Sequence, residues 1–145
     1  MSPSALGPAE LATLDAVLDR LIPSDELGPG AREAQVARYV VRRLAGPYRE
    51  VRPVYAAGLA RLEAQAQALG SSFAGLDGER QDELLRVAEA RAGDPFFELL
   101  LLHAKEGMFG DPAHGGNEDR AGWALIGYPG PRLTWTEADQ RLGPA

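Results

Sequence analysis

The chain has 145 residues, a net charge of −6 and no cysteine. That is the length of one ordinary domain, able to bury roughly 70% of its extended-chain surface without covalent staples; the missing thiols exclude disulfides, thiolate zinc sites, iron–sulfur clusters and cysteine nucleophiles. The charge is uneven, with seven acids and seven bases in residues 1–52 but fourteen acids and eight bases in residues 53–145, a field that argues against nucleic-acid binding.

The N-terminus, "MSPSALGPAE", has neither the basic nor the apolar region of an export signal. The chain as given is therefore expected in the cytoplasm, or in the periplasm where a signal has been removed or a partner carries one. From Leu6 the sequence reads as a helix. Pro8 suits a first turn, where its missing N–H is no loss. Leu11, Leu14, Leu18 and Leu21 recur at helical spacing until Pro23 stops them. A second helix is expected over Ala31 to Leu44, closed by Gly46-Pro47. It carries Arg38, Arg42 and Arg43, which with Arg49 and Arg52 read as a solvated face. A third is expected from about Arg52 to Leu69, with Tyr55, Leu59, Leu62, Ala66 and Leu69 on one stripe and Gly70 as its cap. A fourth follows Leu76-Asp77, carries Leu84, Leu85 and Ala88, and ends near Gly93.

The fifth helix is the most sharply marked. Asp94 is a good N-cap, Pro95 fits the first position, and "FFELLLLHAKEGMF" follows. Apolar residues cover most of its circumference, the pattern of a helix buried among others. Even so, "FFELLLLHA" is broken by Glu98 and falls far short of the roughly 20 apolar residues that span a bilayer, so no direct membrane insertion is expected. Nothing alternates with period two for long enough to make a strand. The expected fold is all-α: about five helices in a single domain over residues 1–131, with an irregular glycine- and aromatic-rich segment at 109–131 and a C-terminal tail at 132–145. A short helix around Glu118 to Ile126, and one more turn from Thr136, are expected within those last parts.

The irregular segment is the oddest feature. Seven glycines fall in the 24 positions from Gly107 to Gly130, among Phe109, His114, Trp123 and Tyr128. It has neither the spacing nor the flanking strand of a phosphate loop or dinucleotide fingerprint. His103 and Glu106 stand three apart on one helical face, as in carboxylate-bridged metal bundles, with Asp111 and His114 downstream. The bundle order is Glu-x-x-His on two helices, whereas His-x-x-Glu occurs here once. "DPAHGGNED" is not a calcium loop. A small helical metal-dependent enzyme using His103, Glu106, Asp111 and His114 is the alternative reading. Against it, His103 would hydrogen-bond within the core while Glu106 and Asp111 hold the following turn. No serine has a nucleophile-elbow setting, so the residues offer no catalytic constellation. Docking remains: glycines permit tight loop shapes, and the aromatics among them are the anchor types of interfaces. Phe109, His114, Asn117, Trp123, Tyr128 and Trp135 are the candidate partner-binding residues; in the alternative, Phe109, Trp123 and Ile126 fold back onto the fifth helix and close the core.

"FFELLLLHAKEGMFGDPAHGGNEDRAGWALIGYPGP", with "LIPSDELGPGAREAQVARYV" upstream, resembles the gluconate 2-dehydrogenase subunit 3 family over about Leu11 to Pro131. The resemblance implies a small, or gamma, subunit without catalytic residues or a cofactor of its own. Its partner would be a large FAD-dependent dehydrogenase of the glucose–methanol–choline type, acting on a sugar or sugar acid, often with a cytochrome subunit as electron acceptor. The small subunit would assist folding, flavin loading or export. Many family members begin with a twin-arginine export signal. Arg42-Arg43 lies inside a predicted helix and cannot serve as one, so the resemblance favours the stabilising role for this chain.

Overall fold

A computed structural model describes residues 6–24, 26 and 28–110. Five α-helices run in order: α1 (Pro8–Leu21), α2 (Val36–Ala45), α3 (Arg52–Ala68), α4 (Gly78–Ala90) and α5 (Phe96–Phe109). A single 3-10 turn, Arg49–Val51, leads into α3. Among the described residues there is no strand, and the all-α expectation holds. The irregular segment from 111 onward, its short helix, the tail and the proposed division at residue 131 lie outside the described residues.

The helix signals sit close to where the sequence places them. Pro8 opens α1, with the Glu10 carboxylate accepting the Gly7 N–H at 3.0 Å. Asp77 caps α4 by accepting from the Arg80 N–H at 2.9 Å, and Gly70 follows α3 with φ +90. Asp94 caps α5 one residue outside the expected position: its Oδ1 accepts from the Phe96 N–H at 3.0 Å while Pro95 carries the chain into the helix.

Three expectations need correction. α2 begins at Val36, not Ala31, because Gln35 adopts φ 60 and ψ 39 and interrupts the helical path. Leu69 lies one residue past α3 and is exposed, leaving Tyr55, Leu59, Leu62 and Ala66 as the buried stripe. α5 is not buried all round. Phe96, Leu100, His103, Ala104, Gly107 and Met108 face inward, whereas Glu98, Leu102 and Lys105 face out, with Leu102 52% exposed.

α1 and α5 are the central pieces, each touching the other four helices. Leu14, Val17 and Leu18 of α1, Leu59 and Leu62 of α3, and Leu100 and Met108 of α5 form the apolar interior. Arg20 of α1 makes a bidentate pair with Asp82 of α4 at 2.9 and 2.8 Å. The α1–α2 connection folds back on itself. Gly30 packs against the backbone of Ile22, Pro23 and Ser24, where a Cβ would overlap main-chain atoms. In this loop the "IPSDELGPGA" stretch needs its last glycine for close approach.

Candidate functional site

The described residues gather most of their unusual chemistry in one place, where α2, the 3-10 turn and α3 meet the inward face of α5. Three tyrosines converge there. Tyr55 of α3 is fully buried, and its hydroxyl lies 2.7 Å from His103 Nδ1. The two rings are nearly parallel, at 6°, with centroids 5.8 Å apart. They therefore lie side by side, joined through hydroxyl and nitrogen, not face to face. Tyr48 stacks on the imidazole from another side, centroids 4.4 Å apart and planes 11° apart, an offset stack of ordinary geometry. The Tyr48 hydroxyl then donates to Glu106 Oε1 at 2.7 Å, and Tyr39 of α2 donates to the same oxygen at 2.9 Å. The Arg43 guanidinium closes the group, 5.3 Å above the Tyr39 ring and 5.6 Å above the Tyr48 ring, within cation–π range. Arg43 Nε is buried and makes no hydrogen bond among the described residues.

Sequence spacing creates this cluster. His103 and Glu106, three apart on α5, share a face, and α5 comes close to its neighbours because two glycines permit it. At Gly58 of α3 a Cβ would fall inside the Phe96 ring, and at Gly107 of α5 it would stand 2.9 Å from Tyr39 and Val36 side-chain atoms. Phe96 meets Tyr55 edge-on at 88°, which fixes the ring that holds His103.

The electrostatics follow from burial and pairing. Burial pushes the Tyr55 phenol above its ordinary value, so it stays neutral and donates its proton to His103 Nδ1. The neutral imidazole then carries its hydrogen on Nε2. Burial lowers the His103 pKa, and the nearby Glu106 charge opposes that shift. The hydrogen bond to Glu106, with burial second, raises the Tyr48 phenol; burial chiefly raises Tyr39. None of the three phenols is poised to lose a proton near neutrality. The phenols, the imidazole and the Glu106 carboxylate are thus committed to one another, and Arg43 Nε is the buried polar atom they leave unpaired among the described residues.

Of the residues singled out from sequence, the structure brings His103 and Glu106 together on one face, as their spacing requires. His103 hydrogen-bonds within the core. Glu106 holds two tyrosines through its side chain, and its backbone carbonyl accepts the Gly110 N–H at 2.7 Å. Phe109 is the last residue of α5, half-buried against the core, so it belongs to the helix and not to the irregular segment expected from residue 109. Asp111, His114, Asn117, Trp123, Tyr128 and Trp135 lie outside the described residues. Among those described, no group of three or more His, Asp or Glu could hold a metal ion.

Sequence reasoning missed Tyr39, Tyr48 and Arg43 as members of this group. Arg43 does not share the solvated face expected for it: it turns inward over two rings while Arg38, Arg42, Arg49 and Arg52 remain exposed. The available signal was Tyr39 and Arg43 at an i, i+4 spacing, with two further tyrosines soon after and a lone buried-type histidine to receive them.

The family model for gluconate 2-dehydrogenase subunit 3 matches residues 8–130. The chain belongs to the gluconate 2-dehydrogenase subunit 3 family. No curated protein and no solved structure matches it. The match includes all five helices and the glycine-rich segment as far as Gly130, so both stretches that carried the resemblance fall inside it but for Pro131. Membership is consistent with an accessory subunit of a dehydrogenase. No helix among the described residues is long and apolar enough to cross a membrane.

Proposed function

We propose that this chain is a non-catalytic small subunit that binds and stabilises a large FAD-dependent dehydrogenase of the glucose–methanol–choline type. The partner would oxidise a sugar or a sugar acid and pass its electrons to an acceptor such as a cytochrome subunit. Family membership over residues 8–130 carries this reading. The geometry supports it in one respect: among the described residues, the cluster of His103, Glu106 and the three tyrosines is spent on packing α5. The flavin belongs to the partner in this reading. The described residues include no strand and no glycine-rich strand-to-helix turn of the kind that cradles a pyrophosphate. Contact through the segment at 109–131 and the tail after it, with Phe109, His114, Asn117, Trp123, Tyr128 and Trp135 as anchors, is part of the proposal.

Co-purification tests it. The tagged chain is co-expressed with the flavoprotein encoded in the neighbouring reading frame, and the visible spectrum of the eluate is recorded. Flavin absorbance near one per complex, with sugar- or sugar-acid-dependent dye reduction, is the expected result. A colourless single band, or a neighbouring frame that encodes no such flavoprotein, would overturn the proposal.

A further inference from the structure

On the face of α1 and α2 turned to solvent, the two helices leave a groove of about 620 Å³. One wall is the outward stripe of α1 from Pro8 to Asp15, spaced i, i+3, i+4, i+7. The other runs from Gln35 along α2 to Arg42. Leu11, 37% exposed, and Ala12 line the first wall; Ala37 and Val41 line the second. Two side-by-side helical stripes with an apolar floor form the seat that a third helix fills by ridge-into-groove packing.

Two observations say what fills it. The first is charge. Asp15 is already answered by Arg32 at 3.1 Å, whereas Arg42 makes no ion pair among the described residues. Arg42 therefore presents positive charge at the groove that no described residue compensates, in a chain whose net charge is −6. The second is Gln35, the one non-glycine residue with positive φ among those described. Where φ is positive elsewhere the chain uses Gly70 and Gly93, which adopt that conformation without penalty. Here it keeps an exposed carboxamide at the groove's end despite the strain, which points to a use for that side chain.

We propose that the α1–α2 groove seats an amphipathic helix of the large subunit, apolar toward Leu11 and Val41 and carrying a carboxylate against Arg42. This inference rests on the small-subunit reading above. It adds contacts from α1 and α2 to those proposed for the segment at 109–131. The Gln35 carboxamide hydrogen-bonds a polar group at one end of that helix.

The test uses the co-expressed complex with Leu11→Glu, Arg42→Glu and Gln35→Gly in the small subunit. Dissociation on dilution is followed by mass photometry, and each isolated chain is melted by circular dichroism. Leu11→Glu should weaken the complex by about tenfold or more. Arg42→Glu should weaken it several-fold, roughly 5- to 10-fold, and flatten its salt dependence. Both positions are exposed, so both chains should melt as wild type does. Gln35→Gly should melt higher yet bind more weakly. A wild-type complex that neither Leu11→Glu nor Arg42→Glu weakens overturns the groove while leaving the subunit reading intact. Failure of the wild-type chain to capture any flavoprotein sinks both. Self-association of the isolated chain that Leu11→Glu abolishes would assign the groove to a second copy and overturn the proposal.

Discussion

Replacing Tyr55 with Phe isolates one hydrogen bond in the protein's interior. The ring keeps its shape and its edge contact with Phe96, and only the hydroxyl is lost. Its partner, His103 Nδ1, then sits in a side chain 3% exposed without the hydroxyl that it bonds. Leaving a buried acceptor unsatisfied costs about 1–3 kcal/mol, more than the net worth of an average hydrogen bond. In a chain of 145 residues that corresponds to a fall of roughly 2–4 °C in Tm per kcal/mol, so a drop of about 2–12 °C is expected. Urea unfolding at pH 7.5 keeps His103 neutral in both states and avoids a titration artefact. The companion variants are His103→Phe and the pair Tyr55→Phe/His103→Phe. Removing both polar partners abolishes the unpaired atom, so the double variant should lose less than the sum of the singles. A coupling of at least about 0.5 kcal/mol is expected for groups in contact. A Tyr55→Phe protein within about 0.5 kcal/mol of wild type, with additive singles, would refute the reasoning.

Three further outcomes follow from the same geometry. Gly58→Ala should destabilise by about 1–2 kcal/mol in chemical denaturation: overpacking against Phe96 costs roughly 1–3 kcal/mol, against a helix-propensity gain of at most about 1 kcal/mol. Asp94→Ala removes the α5 cap and the 2.7 Å pair with Arg61 and should cost about 1–2 kcal/mol. The Phe96 N–H, and Arg61 after it, hold the Asp94 carboxyl below its usual value, so this contribution is intact above about pH 4 and lost below it as the group protonates. His103 sets a different window. Its folded pKa is lowered, so the unfolded chain takes up a proton first, and stability should fall as pH drops below about 6.5. That slope should vanish in His103→Phe, which melting curves between pH 5 and 8 would show.

The parts of the fold legible in the sequence were those set by local chemistry. Pro8, Asp77, Gly70 and Asp94 mark helix ends because a cap or a fixed φ acts on its immediate neighbours. The start of α2 was not legible. "AREAQ" has helical composition, and nothing local to it reveals that Gln35 adopts a left-handed conformation. The tyrosine cluster was hidden for a related reason. It joins residues 48 to 67 positions apart, and periodicity within a single helix says nothing of what a face will meet. His103 could be assigned to the core from sequence; its partners could not.

The α5 helix shows why such a cluster is useful. With Phe, Leu and Met on nearly every side, its sequence specifies burial but hardly an orientation. A rotation about its axis could exchange Leu99, Leu101 or Leu102 for Leu100 with a similar apolar gain. The polar pairs remove that degeneracy. His103 must reach Tyr55, and Glu106, one turn on, must reach Tyr39 and Tyr48; only the orientation that leaves Leu102 outside satisfies both. A satisfied polar network in a low-dielectric interior selects among packings more sharply than apolar contact does, because a misplaced member leaves its partner unpaired. The all-round apolar pattern and the one-sided burial are therefore compatible. Hydrophobicity brings α5 into the core, and three hydroxyls decide which of its faces remains exposed.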